Sequence, residues 1–255
     1  MSATVVALTT APVKGLRVLT PASLELGPAG ATDDRRFYVV DDRGWMVNGK
    51  RVGALSTVVP EFSEGVLALT FDGGEVVRGE VQRGEEIDTR FYSRPARATI
   101  VLGPWSAALS QLVGEDLRLV EAGARSGIDR GRAGAVSLIS QASLAGLAAV
   151  AGSDSIDARR FRMTVEIDGV DAHGEDGWIG ERVRIGGALV RFGGNVGRCL
   201  ITSRDPDTGV VDLPTLDLLR SYRGGLDTTE PLAFGVYGEV LEGGTVALGD
   251  PVELA

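Results

Sequence analysis

The chain has 255 residues and a net charge of −9, with 24% charged and 44% hydrophobic residues; this is the balance of a globular protein able to bury a sizeable core. Its acidity argues against wrapping nucleic acid or lying on an anionic membrane, because both need a basic surface. One Cys and one His exclude an intramolecular disulfide, a Cys-ligated iron–sulfur cluster, a multi-Cys zinc site and a His–His metal pair. Of the 26 basic residues only Lys14 and Lys50 are lysines, so the basic side is almost entirely Arg.

In chain order, the opening Met1-Ser2-Ala3-Thr4-Val5-Val6 lacks the basic start of a targeting peptide. No apolar run reaches the roughly 18 residues of a membrane span, so a cytoplasmic location without a membrane anchor is expected. Residues 4–9, 36–41, 66–71 and 75–81 are β-rich runs separated by turn residues, the spacing of a barrel or sandwich. Helical spacing appears first over 106–113, after Gly103-Pro104-Trp105 and before a stop at Gly114. The Gly- and Arg-rich stretch 122–134 reads as a loop. A helix is predicted over 140–150 with Ser140 as N-cap, and another over 213–222 with Pro214 in its first turn. Strands are predicted over 162–167, 182–185, 188–192, 198–203, 235–241 and 245–248.

Cys199 is the first candidate for chemistry. A lone Cys is usually a small buried hydrophobe. Here Arg198 precedes it and Asp205-Pro206-Asp207-Thr208-Gly209 closes the following turn. A neighbouring guanidinium favours the thiolate, which attacks electrophiles or ligates soft metals such as molybdenum or copper. Arg159-Arg160-Phe161-Arg162 is either a solvated basic run or an anion clamp. Asp168, Asp171, His173, Glu175 and Asp176 read as a solvated acidic surface rather than a metal site. Gly193-Gly194-Asn195-Val196-Gly197 lacks the following Gly-Lys-Ser of a phosphate loop. With His173 alone available, a Ser-His-Asp hydrolase is not expected.

Taken together these segments resemble the MOSC family (molybdenum cofactor sulfurase C-terminal domain) in its two-part form with an N-terminal β-barrel. The resemblance runs through Pro12-Val13-Lys14-Gly15-Leu16, Asp34-Arg35-Arg36-Phe37 and Ser137-Leu138-Ile139-Ser140. It continues through Arg160-Phe161-Arg162, Glu175-Asp176-Gly177-Trp178, Gly197-Arg198-Cys199, Asp205-Pro206-Asp207-Thr208-Gly209 and Phe234-Gly235-Val236-Tyr237.

It implies a mixed α/β, β-rich fold: an N-terminal MOSC β-barrel part with a linking helix over 1–121, and a MOSC β-barrel domain with a few helices over 122–255. It further implies a molybdenum–pyranopterin cofactor between the two parts, with Cys199 as metal ligand and catalytic centre. Lys14, Gly15, Arg35, Ser140, Arg160, Arg162 and Arg198 would hold the pterin and its phosphate. Three departures stand out: Gly15 where such proteins often carry Ser, Met163-Thr164 where Pro-Asn is common, and Asn48-Gly49-Lys50-Arg51 where a Thr-x-Arg segment is found near the second barrel loop. The activity implied is that of the amidoxime-reducing proteins, which reduce small N-hydroxylated substrates with electrons from a separate reductase. No haem, flavin, iron–sulfur cluster, N-terminal anchor or ferredoxin module is expected in this chain. The alternative is a non-redox cofactor carrier, or a sulfur-carrier module using a Cys199 persulfide.

Overall fold

A computed structural model describes residues 3–92, 94–123 and 130–255. Seven strands close a barrel in the order Ala3–Leu8, Val165–Asp168, Val136–Ser140, Ala233–Glu242, Ala188–Gly197, Arg182–Ile185 and Pro251–Leu254. Neighbours in it are antiparallel except Val136–Ser140 and Val165–Asp168. That parallel pair is joined by a helical crossover, because parallel strands cannot be joined by a tight turn. Alternate residues point inward, so Val5, Leu138, Ile167, Val183, Val190, Phe192 and Val236 fill the barrel and are almost fully buried.

The N-terminal half is built from a five-stranded and a three-stranded sheet. In the larger one Phe37–Asp41 pairs with Leu117–Ala122, which in turn borders the long hairpin Gln82–Phe91 and Arg94–Leu102. Val59–Ser63, Val66–Thr70 and Val76–Glu80 form the smaller one. Helix α1 (Trp105–Val113) buries Trp105 and Leu109 in the core these sheets share with Phe37, Val39, Leu67 and Leu69. It ends at Gly114, whose φ of 75° is the left-handed cap a helix C-terminus favours.

Helix α2 (Gln141–Ala151) is the crossover of the parallel pair, and α3 (Thr215–Arg223) packs beside it. Leu144, Leu147 and Leu219 meet Phe161, Met163 and Phe234 beneath the barrel wall. The β-rich class and the three helices agree with the sequence reading, each helix within two residues of its predicted bounds. Three differences have physical causes. The segment 198–203 is no strand: it leaves the barrel and closes a 3-10 turn over Leu200–Ser203, with the Thr202 amide and hydroxyl both donating to the Cys199 carbonyl. The long hairpin went unread because its Gln82–Phe91 strand carries charges at nearly every second position. The first strand, Ala3–Leu8, pairs with Val165–Asp168 and Pro251–Leu254, so the barrel includes residues far to the N-terminal side of position 122.

Candidate functional site

A cleft of about 420 Å³ lies where the barrel meets the N-terminal sheets. Five of the residues singled out in the sequence line it: Lys14, Arg35, Arg162, Arg198 and Cys199. The volume is within the roughly 300–1,000 Å³ of small-molecule sites.

Cys199 is partly exposed on the cleft wall, just past the end of the barrel strand Ala188–Gly197. Its backbone is fixed from both sides. The Gly197 amide donates to Glu230 Oε2 at 2.9 Å, and the Arg198 amide donates to the Leu232 carbonyl at 3.2 Å. The Arg198 side chain turns inward beneath it. Its Nε donates to the Phe234 carbonyl at 2.9 Å and its Nη1 to the Phe161 carbonyl at 3.0 Å, while Nη2 contacts Met163 Sδ at 2.9 Å. The guanidinium also lies 5.2 Å from the Phe161 ring centre. Burial pushes its pKa down to about 9, against which the nearby Cys199 thiolate pulls it up. Arg198 therefore stays cationic at neutral pH, its charge answered by the Phe161 and Phe234 carbonyl dipoles.

Arg35 and Arg162 both adopt the left-handed backbone conformation, with φ of 52° and 54°. Such angles are uncommon outside Gly and cost energy, and they cluster where a side chain must be aimed. The two are joined, Arg35 Nη2 donating to the Arg162 carbonyl at 3.2 Å. Asp34 pairs with Arg35 and accepts from the Ala11 amide at 2.7 Å, which ties this turn to the chain just before Lys14. Lys14 sets its ammonium 5.4 Å from the Phe91 ring centre.

Three sequence candidates stand apart from the cleft lining. Gly15 has φ of 91° and lies so close to Asn48 that a Cβ there would meet Asn48 Cα at 3.0 Å. A Ser at this position would be both strained and crowded. Ser140 is fully buried as the N-cap of α2: it accepts from the Ser143 amide at 3.1 Å and donates to Glu175 Oε2 at 2.9 Å. Arg160 makes a two-pronged ion pair with Asp212, at 2.6 and 2.7 Å, with Asp205 at 3.7 Å. That pair raises its pKa and directs the guanidinium to the Asp205–Gly209 turn.

That turn is built as expected: Asp205 Oδ1 accepts from the Asp207 and Thr208 amides and the Thr208 hydroxyl, which holds its carboxyl below the usual range. In the acidic stretch Asp168 and Asp171 are exposed, and the solvated-surface reading needs correcting at Glu175. Glu175 is fully buried and accepts from the Ser140 amide and from both Ser140 and Ser143 hydroxyls. Among the described residues no group of three or more His, Cys, Asp or Glu is placed to hold a metal. Of the loop predicted over 122–134, residues 124–129 lie outside the described residues, and Gly131–Gly134 is a 3-10 turn.

Lys50 and Arg130 also line the cleft; neither has a site role in the sequence reading, although Lys50 lies in the segment that departs from Thr-x-Arg. Arg130 pairs with Glu230 through both nitrogens and stacks 4.4 Å from the Tyr237 ring centre. For Lys50 a signal was present: it is the second of only two lysines in the chain.

A thiol thus stands on the wall of a cationic cleft with aromatic and thioether surface beside it, an arrangement able to hold an anionic small molecule. Family comparison supplies the class of protein. The MOSC domain matches residues 125–253 and the MOSC N-terminal beta barrel domain matches residues 2–101. The chain belongs to the MOSC domain family.

Among curated proteins it is 39% identical over 99 residues to mitochondrial amidoxime reducing component 2 of Homo sapiens, covering 36% of this chain and 29% of that protein. It is 36% identical over 124 residues to mitochondrial amidoxime-reducing component 1 of Homo sapiens, covering 46% and 36%. The matched segments thus span about a third of the length of these relatives. Among solved structures, the YUAD protein from Bacillus subtilis aligns over 100% of this chain and 96% of its own, at 12% identity and a TM-score of 0.47.

Proposed function

We propose that this chain binds a molybdenum–pyranopterin cofactor in the cleft and reduces small N-hydroxylated compounds such as amidoximes, with electrons from a separate reductase. The observation that carries the reading is the Cys199 thiol opening onto a cleft walled by Lys14, Arg35, Arg162 and Arg198. Names of the relatives supply the substrate class, since two of them are amidoxime reducing components. The donor set fits the cofactor: one soft thiolate for the metal and several cations for the phosphate of the pterin. When bound, the group supplies the two-electron redox chemistry.

The chain's own residues do the rest. Cys199 is the metal ligand, and Arg198 beneath it braces the backbone that carries it. Arg35 and Arg162 meet at one wall and offer guanidinium donors to the phosphate. Phe161, Met163 and Tyr237 give the cleft apolar surface on which a flat ring system can lie. No helix among the described residues is long and apolar enough to cross a membrane.

The test is Cys199→Ala. Purified from a host that makes the cofactor, the parent should carry molybdenum near one per chain and reduce a model amidoxime when given a suitable reductase. The variant should fold, judged by its circular dichroism, and lose both. Stoichiometric metal and undiminished reduction in the variant refute the assignment. A metal-free parent carrying a labile sulfane sulfur would instead identify a persulfide carrier.

A further inference from the structure

We propose that Lys50 and Lys14 form a two-lysine clamp for a phosphate-type anion at the N-terminal side of the cleft, with Lys50 an anion-binding residue of this chain. For the source of that anion the inference rests on the cofactor reading above; the clamp itself does not.

Position is the first support. Lys50 lines the same cleft as Lys14 and Cys199, although it comes from the turn after the short strand Met46–Val47. The turn is rigid. Asn48 Oδ1 accepts from the Lys50 amide at 3.0 Å, and the Asn48 carbonyl accepts from the Arg51 and Val52 amides at 3.0 and 2.9 Å. It is also wedged between the two segments that matter. A Cβ on Gly49 would meet Ile201 Cδ1 at 2.7 Å and the Gly15 carbonyl at 3.3 Å. Ile201 is two residues beyond Cys199, and Gly15 directly follows Lys14. Arg204 Nη2 adds a bond to the Lys50 carbonyl at 3.3 Å. The turns bearing Lys14, Lys50 and Cys199 are therefore packed as one unit.

Charge is the second support. The next residue, Arg51, is taken up by Asp41 at 3.1 Å and Glu115 at 2.8 Å, on the far side of the turn. Lys50 has no carboxylate within ion-pairing distance among the described residues. Around the cleft stand Lys14, Lys50, Arg35, Arg130, Arg162 and Arg198, against Asp34 as the acidic lining residue. In a chain of net charge −9 this is a local reversal of sign. Composition is the third support. The other 24 basic residues are Arg, and both lysines fall at this one cleft. An ammonium on a flexible stem is a compact point charge that can follow a tetrahedral anion.

The test is calorimetric titration of the full chain, purified without cofactor, with inorganic phosphate and inorganic pyrophosphate. Lys50→Gln should weaken binding at least fivefold, and Lys50→Arg should stay within about threefold of the parent. Arg191→Gln, which removes an ion pair to Glu239 on the outer face of the barrel, should leave binding unchanged. Equal affinity of Lys50→Gln and the parent overturns the clamp, as does an equal loss in Arg191→Gln. No molybdenum is needed, so failure of the redox reading leaves this result intact. Repeating the titration on cofactor-loaded protein separates the sources. If loading abolishes Lys50-dependent phosphate binding, the clamp holds the cofactor's phosphate. If that binding persists after loading, the clamp serves a phosphorylated substrate.

Discussion

Ser140 illustrates how a hydroxyl in a suggestive position is claimed by the fold. Its Oγ caps α2 and is bound by the buried Glu175 carboxylate and by Ser143, which leaves nothing to offer a ligand. Ser140→Ala should cost about 1–3 kcal/mol of stability, through a lost cap and a weakened buried carboxylate network. Urea denaturation measures the loss, while the phosphate affinity of the folded variant should match the parent's. A large fall in that affinity would return Ser140 to the list of ligand contacts. Cys199 and Arg198 were legible in the sequence because a lone Cys beside Arg is a chemical peculiarity that needs no partner to be noticed. Lys50 showed only as the second of two lysines, since its place depends on Gly15 and Ile201, remote in sequence, closing on the turn before it.

Among the elements, the segment after the barrel strand Ala188–Gly197 has the most bearing on chemistry. Its alternating residues read as a further strand, yet the chain breaks there into a 3-10 turn. The Arg198 guanidinium supplies the reason: it reaches the Phe161 and Phe234 carbonyls, and so fastens the turn to two other segments. Arg198→Lys keeps the charge and loses the fork. We expect it to lower stability by about 1–3 kcal/mol. Amide exchange across Leu200–Ser203 should quicken more than across the barrel strands. Unchanged exchange in that turn would mean that Arg198 braces nothing. Helices α1, α2 and α3 were readable because their apolar spacing and their stops are local signals. The strand Ser23–Gly27 was missed because its partner is Gly244–Ala247, at the other end of the chain, and five residues alternating in burial give little on their own.

For the molecule as a whole, acid should be more damaging than its negative charge alone suggests. His173 is half buried, contacts the rings of Tyr222 and Phe234, and hydrogen-bonds Tyr222 Oη at 2.9 Å. Its Nδ1 is buried without a partner among the described residues. Burial, reinforced by the Arg223 charge, lowers its pKa to about 4, with Asp176 opposing. The unfolded chain takes up a proton near pH 6.5, which the folded one resists down to about 4. Stability contributed by the neutral ring is thus complete above the upper value and lost as pH falls through that window. The slope is at most about 1.4 kcal/mol per pH unit, less for the ring's partial exposure. The lowered carboxyls of Glu121, Asp207 and Glu230 add to the loss below their unfolded values, and the raised Glu166 opposes it. Melting temperatures of the parent between pH 7 and 5 should fall, and His173→Gln should flatten that fall. Parallel profiles for the two proteins would assign the acid sensitivity elsewhere.

The strand Ala3–Leu8 has a consequence for biosynthesis. It is synthesised long before one of its two neighbours, Pro251–Leu254. Until then the opening stave can lie against one side only, and the cylinder stands open with a bare edge. Contacts so distant along the chain slow folding, and an unpaired edge invites pairing with other chains. Between the emergence of these two strands the nascent chain is in a form that chaperones would have reason to shield.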